Sequence, residues 1–193
     1  MPYTKTYFEK WYRSAQRVHA PADRSRTVRM VLAVGDYMLG RPVRSVLDIG
    51  AGEGLWSLEL RRIRRTIRYA GVDPSEYAVG RYRHSRQLHL GTLGALPSRI
   101  ARRRYDLIVC SGMLNYLRPE ELREGLATIS RLARGVAFLE LFTARDDVQG
   151  DVRGRRPASF YRRLLDSLGF RHCGPHCYVG PSFDGITVEM EIA

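Results

Sequence analysis

A chain of 193 residues, 44% hydrophobic and 27% charged, can build one compact core, and it has no apolar run long enough to cross a bilayer. Three cysteines (Cys110, Cys173 and Cys177) are too few, and odd in number, for a disulfide framework. The polar, aromatic start MPYTKTYFEKWYRSAQR lacks a signal-peptide core, so a reduced, cytoplasmic setting is expected.

The net charge of +12 points toward nucleic acid, yet Lys5 and Lys10 are the only lysines and the arginines are scattered. Local clusters stand at 61–65 (RRIRR) and 102–104 (RRR), where exposed helix or loop is expected. A solvated surface is the preferred reading, and a nucleic-acid partner stays open without being favoured.

Residues 1–45 read as helical: Val28, Val31, Leu32, Val34, Met38 and Leu39 recur at near-helical spacing until Gly40-Arg41-Pro42 stops the run. Earlier, Tyr3, Tyr7, Phe8, Trp11 and Tyr12 fit one side of a short helix. SVLDI (45–49) is an apolar strand that runs into glycines and then the helix LWSLELRRI. RYAGVD (68–73) is a second strand with a helix from about Glu76, and LHLGTL (88–93) is a third. YDLIVCSG (105–112) is a fourth, followed by a helix from Pro119, a favoured residue for a first turn.

GVAFLELF (135–142) is the fifth strand, and PASFYRRLLDSLGF (157–170) is an amphipathic helix with Phe160, Leu164, Leu165 and Leu168 inward, closed by Gly169. FRHCGPHCYVG and GITVEMEIA are extended segments joined by PSFD, which suggests an antiparallel hairpin. Strands alternating with helices imply an α/β fold, doubly wound, with a mainly parallel sheet covered on both faces. A single domain is expected over 1–193, with 1–42 as a helical cap and 43–193 as a Rossmann-like core.

The stretch SVLDIGAGEG ends a buried strand with an acid and then glycine at every second position. Such a turn lets backbone approach a ligand at the carboxyl end of the sheet. It is not a dinucleotide turn: counting from Gly50 and Gly52, Leu55 stands where the third glycine of GxGxxG belongs. Asp48 would also bring negative charge near a pyrophosphate. A ligand with a cationic amino-acid end and a neutral ribose suits it better, as S-adenosyl-L-methionine (SAM) does.

VLDIGAGEG resembles the first motif of the class I SAM-dependent methyltransferases. GVDPS (71–75) resembles the family's second-strand segment, and YDLIVCSGMLNYL (105–117) its fourth-strand segment. The resemblance spans roughly residues 43–170 and implies a seven-stranded Rossmann-like sheet, to which the terminal hairpin belongs. It implies a methyltransferase using SAM and releasing S-adenosyl-L-homocysteine (SAH). The implied cofactor-binding residues are Asp48, Gly50, Ala51, Gly52 and Gly54 in the turn, Asp73 on the ribose hydroxyls with Pro74 beside it, and Ser111 and Gly112 after strand four. At the third strand the family usually offers an acid or amide to the adenine amino group; here Thr92 stands near that place, followed by Leu93. Asp106 starts the fourth strand, where the family's acid is structural.

Methyl transfer from a sulfonium needs positioning more than a conspicuous catalytic group, so no catalytic residue is assigned. Glu140, Tyr116 and His176 are the candidates, and Tyr7, Trp11, Met113, Tyr116 and Glu140 are the candidate substrate pocket. CSGMLNY (110–116) lacks the Asn/Asp-Pro-Pro-aromatic signature of nucleobase amino methylation. HCGPHC (172–177) holds four ligand-type side chains in six residues, but strand parity places His172 and His176 on one face and Cys173 and Cys177 on the other, so no metal is expected. A small-molecule acceptor is the leading expectation. An RNA or protein methyltransferase using the arginine-rich surface, and a non-catalytic SAM-binding regulatory protein, are the alternatives. No membrane partner is expected.

Overall fold

The computed structural model describes residues 3–14, 20–146 and 156–186. Helix α1 (Lys5–Phe8) continues as a π-helical turn over Glu9–Arg13, and α2 (Pro21–Leu39) follows. Pro21 opens α2 with its fixed φ, and Gly40, at φ +60°, closes it in the left-handed conformation that a Cβ disfavours. The sheet and its coverings then alternate: β1 (Ser45–Ile49), α3 (Leu55–Ile63), β2 (Arg68–Asp73), α4 (Glu76–Tyr82), β3 (Leu88–Leu90), α5 (Ser98–Ala101) and β4 (Tyr105–Cys110). A 3₁₀ turn (Leu114–Tyr116) leads into α6 (Pro119–Leu132), β5 (Ala133–Leu139), α7 (Ala158–Ser167), β6 (Arg171–Gly174) and β7 (Cys177–Val179).

The strands form one seven-stranded sheet in the order β3-β2-β1-β4-β5-β7-β6. β1 pairs in parallel with both β2 and β4, so the chain winds outward in two directions from the β1/β4 boundary, where open α/β sheets bind ligands. β7 enters antiparallel between β5 and β6.

Every residue of β1 and β4 is buried, as a central strand covered on both faces requires. Alternation along each strand then builds two cores. Leu47, Ile49, Ile108 and Ala137 face α6 and α7, where Leu122, Leu126, Ile129 and Leu164 are buried. Val46, Leu107, Val109, Val136 and Phe138 face α2 and α3, against Val31, Leu32, Met38, Trp56 and Leu60.

Element boundaries differ from the sequence reading in ways that have physical causes. β3 stops at Leu90 because Thr92 and Ala95 close a tight turn on each other (N–O 3.3 and 3.1 Å). β5 begins earlier, at Ala133, and ends at Leu139 rather than at residue 142. α7 buries Tyr161, Leu164 and Leu165, while Phe160 and Leu168 are half-buried at its edge. A hairpin turns at Pro175-His176, inside the first extended segment, where β6 and β7 pair directly. Of GITVEMEIA, residues 187–193 lie outside the described residues.

Both arginine runs map to the end of the sheet from which the strands start. α3 runs back from the glycine turn, so 61–65 stand at its far end, and 102–104 immediately precede β4. Arg64 is half-buried and pairs with Asp36 at 2.5 Å. Asp106 ties this end together. Fully buried, it accepts hydrogen bonds from Arg41 Nη2 (2.8 Å), the Arg44 amide (2.7 Å), the Ser45 amide (3.1 Å) and Arg134 Nε (2.8 Å). Burial pushes its carboxyl up, but these donors outweigh burial and hold it at about 2.

The folded value lies below the unfolded one. The stabilisation is therefore present above about pH 4 and is lost as pH falls toward about 2. Asp106→Ala leaves two guanidinium groups and two amides without their acceptor, and is expected to cost about 3 kcal/mol in urea unfolding. Ligand binding by the folded fraction stays unchanged.

Candidate active site

A cleft of about 420 Å³ opens at the carboxyl ends of β1, β2 and β4, within the usual range for small-ligand sites. Its floor is the turn after β1. Gly50 (φ +74°) and Gly52 (φ +54°) adopt conformations that L side chains avoid. Each is also bare because its neighbours demand it: a Cβ at Gly50 would stand 2.7 Å from Met113 Cγ, and one at Gly52 would collide with the Tyr12 hydroxyl. The turn is strapped to β2, since the Gly50 and Ala51 amides both donate to Val72 O (2.8 and 3.1 Å).

Asp73, the last residue of β2, lines the cleft and is positioned by two amides. Gly52 N–H donates to Oδ2 (2.7 Å) and Ser75 N–H to Oδ1 (2.8 Å). A carboxylate has about four lone-pair sites, so each oxygen keeps one for a ligand. Two acceptors side by side on one rigid carboxylate match a vicinal diol. Burial pushes the Asp73 carboxyl up, and the two amides partly counter it.

Asp48 lies one step behind the cleft. It is 1% exposed and accepts a hydrogen bond from Tyr69 Oη at 2.7 Å. Burial raises its carboxyl to about 7; the Tyr69 hydroxyl opposes that rise and the nearby Asp73 adds to it. Ala51 and Gly54 shape the turn without lining the cleft; Gly54, at φ +70°, leads into α3.

The walls come from β3 and β4. Pro74, Thr92, Leu93, Ser111, Gly112, Met113 and Tyr116 all line the cleft. Glu140 stands behind the wall, where Ser111 Oγ donates to its Oε2 at 2.8 Å. His176 is exposed in the β6–β7 turn, and its carbonyl accepts from the Leu139 amide (2.8 Å). Among the described residues no three of His, Cys, Asp and Glu gather around a metal position. Burial pushes the Cys173 and Cys177 thiols up to about 12, away from the thiolate a metal needs. Asn115, buried, staples the loops: Nδ2 donates to Phe142 O (2.6 Å) and Oδ1 accepts the Phe142 amide (3.0 Å).

The roof is the N-terminal segment. Tyr3, Tyr7, Phe8 and Tyr12 line the cleft, whereas Trp11 does not and instead lies beside Lys10 Nζ, 4.6 Å from its ring centre. Three anchors hold the roof: Ser75 Oγ donates to Tyr3 O (2.6 Å), Phe8 stacks on Tyr77 (5.8 Å), and Arg13 pairs with Glu53 (2.5 Å). Burial and the neighbouring Tyr116 push the Tyr7 hydroxyl up, and burial beside Asp73 does the same to Tyr12, so both are donors at neutral pH.

Sequence reasoning had placed Tyr3, Phe8 and Tyr12 on the aromatic face without assigning them to a site. It gave no sign of Gly91, Gly94, Leu117, Glu121 or Glu124, which also line the cleft. The two glutamates read along the chain as the ordinary acids of a helix's first turns.

The family model for a methyltransferase domain matches residues 9–184. No curated protein matches the chain significantly. Among solved structures, the chain is similar to the magnesium protoporphyrin IX methyltransferase of Synechocystis with bound SAM (TM-score 0.58, 19% identity, covering 91% of this chain and 89% of that one). It is also similar to the sugar N-methyltransferase KedS8 of Streptoalloteichus (0.61, 16%, 83% and 87%). A third is the plantazolicin methyltransferase BpumL, in complex with a desmethylplantazolicin analogue and SAH (0.64, 15%, 77% and 64%). With a family model spanning nearly the whole described fold, and a sheet order and glycine turn that agree with it, the chain belongs to the SAM-dependent methyltransferases of class I.

Proposed function

We propose that this methyltransferase moves the methyl group of SAM to a small-molecule acceptor bound under the N-terminal aromatic roof. The observation that carries the reading is the half-used Asp73 carboxylate beside two glycines that leave the floor bare, all in one cleft. When bound, SAM supplies an electrophilic methyl whose departure neutralises the sulfonium. The chain's own residues orient and desolvate. Asp73 holds the ribose hydroxyls, Gly50, Gly52, Ser111 and Gly112 leave room for the amino-acid end, and Pro74 and Leu93 give apolar contact to the base. Asp48 supplies negative charge behind the turn.

At the acceptor side Tyr7, Met113 and Tyr116 form an apolar wall with hydroxyl donors, and Glu140 acts through Ser111. Their protonated hydroxyls position an acceptor rather than remove its proton. The relatives named above are described as methylating a porphyrin, a sugar and plantazolicin, which fits an enclosed site for compact acceptors.

Charge placement favours this over a nucleic-acid acceptor. Among the described residues the cleft lining holds Asp73, Glu121 and Glu124 and no arginine or lysine, and both arginine runs stand at the opposite end of the sheet. No helix among the described residues is long and apolar enough to cross a membrane.

Calorimetric titration with SAM and SAH, followed by a mass-spectrometric methyl-transfer screen over amine, hydroxyl and carboxylate acceptors, tests the proposal. Micromolar binding with turnover of a compact acceptor is expected. Binding of both ligands with every small acceptor left unmethylated and RNA methylated would overturn it.

A further inference from the structure

The base-binding end of the cleft lacks a carboxylate or amide acceptor where the third strand would be expected to supply one. With Asp73 on the ribose and the glycine turn at the amino-acid end, the base lies toward the loop Gly91–Gly94. An adenine presents a 6-amino group with two N–H donors along that edge, and a buried or half-buried donor needs a partner. Thr92 is partly engaged within its own turn: its amide donates to Ala95 O (3.3 Å), and its hydroxyl oxygen accepts the Ala95 amide (3.1 Å), which leaves only a neutral hydroxyl there.

Helix α6 comes unusually close to this loop. A Cβ at Gly125 would collide with the Leu93 side chain, so the absence of a side chain there lets the helix backbone settle against the base-binding loop. That approach carries two α6 carboxylates, Glu121 and Glu124, into the lining. Glu121 is taken: Oε2 accepts the Arg118 amide and Oε1 the Arg118 guanidinium, both at 2.9 Å, closing a capping box. Glu124 makes no hydrogen bond or ion pair among the described residues and stands exposed at the rim.

We propose that Glu124 accepts the hydrogen bond of the adenine 6-amino group, so that α6 supplies the acid that the third strand lacks. The inference rests on SAM being the ligand of the cleft. A charge-assisted acceptor there selects an amino-purine over a 6-oxo-purine.

The test is calorimetric binding of three ligands: SAH, its analogue lacking the 6-amino group, and its 6-oxo analogue. Each is titrated into wild type, Glu124→Ala, Glu124→Gln and Glu121→Ala. Wild type is expected to prefer SAH over the des-amino analogue by about tenfold, the worth of one charge-assisted hydrogen bond at a wet rim. Glu124→Ala should remove most of that preference by weakening SAH alone. Glu124→Gln should keep part of it and gain affinity for the 6-oxo analogue, because an amide can present its N–H₂ to a carbonyl. Glu121→Ala should leave the ratios unchanged.

Unchanged ratios in Glu124→Ala, or an equal loss for all three ligands, would overturn the assignment while leaving SAM as the ligand. Binding of none of the three by folded wild type would overturn the donor reading itself, and this one with it.

Discussion

Asp73→Ala is expected to weaken SAH and SAM binding by 100-fold or more, the largest single effect in the molecule. Two hydrogen bonds from ribose hydroxyls to one carboxylate are worth together about 3 kcal/mol or more, and each 1.4 kcal/mol is a factor of ten. A second loss adds to the first, because Asp73 is also the acceptor that fixes the Gly52 and Ser75 amides. Its removal loosens the turn that forms the floor. Asp73→Asn separates the two contributions. Its amide oxygen can still accept one backbone amide, so the fold should hold while the bidentate grip on the diol is lost. Calorimetry with SAH on both variants, with circular dichroism to confirm folding, provides the measurement. Retention of wild-type affinity by a folded Asp73→Ala protein would remove the ribose assignment.

The second large effect is a pH dependence set by Asp48. Burial raises its carboxyl to about 7 in the folded protein, against about 3.9 in an unfolded chain. Between those values the native state binds more protons than the unfolded one, so stability falls as pH rises through the window from about 4 to about 7. The shift corresponds to a cost on the order of 4 kcal/mol, fully present above pH 7 and absent at acid pH.

Asp48→Asn keeps an oxygen for the Tyr69 hydroxyl and removes the charge. The variant should be more stable than wild type by a few kcal/mol at pH 8 and should approach it near pH 4, as read by urea unfolding at both values. Parallel stability profiles for the two proteins would show that Asp48 does not titrate in this window. The same charge bears on the ligand. A cationic amino-acid end near the turn favours the ionised form, so SAM binding at pH 6.5 should release a proton that Asp48→Asn does not release. Titrations in buffers of different ionisation enthalpy would read this difference.

Asp106 and Asp48 show a contrast within one sheet. Both are buried acids, one at the start of β4 and one near the end of β1. Asp106 meets two guanidiniums and two amides and stays ionised to about 2, whereas Asp48 meets one hydroxyl and rises to about 7. The difference lies in the partners: cationic and amide donors hold the first ionised, whereas burial with a single hydroxyl raises the second.

Much of the architecture could be read along the chain because it depends on local pattern. A short strand such as SVLDI, with Val46 and Leu47 adjacent and so on opposite faces, is satisfied by burial on both faces. Gly50 and Gly52 announce positive φ, and the acid after RYAGV announces a strand end at the ligand crevice. Those signals sit in a few consecutive residues, and they suffice for the strand–helix alternation, the family and the acid that ends β2 in the cleft. They do not fix where strands stop: β3 ended three residues early and a hairpin turned at Pro175-His176, since hydrogen-bond partners across the sheet decide both.

What only the tertiary structure decided is every contact made between distant segments. Trp11 and Tyr12 are neighbours in one aromatic face, yet the π-helical turn sends Tyr12 over Gly52 and leaves Trp11 beside Lys10. Glu140 looks like a strand-end base until Ser111 is seen in front of it. Glu124 looks like any surface acid on a helix until Gly125 seats that helix on Leu93. Sequence by itself determined the fold, the donor and the acid that ends β2, because dihedral demands and burial patterns are local. The roof and the base-binding rim came only with the packed fold, because which side chain enters a cleft is set by how helices seat on a sheet.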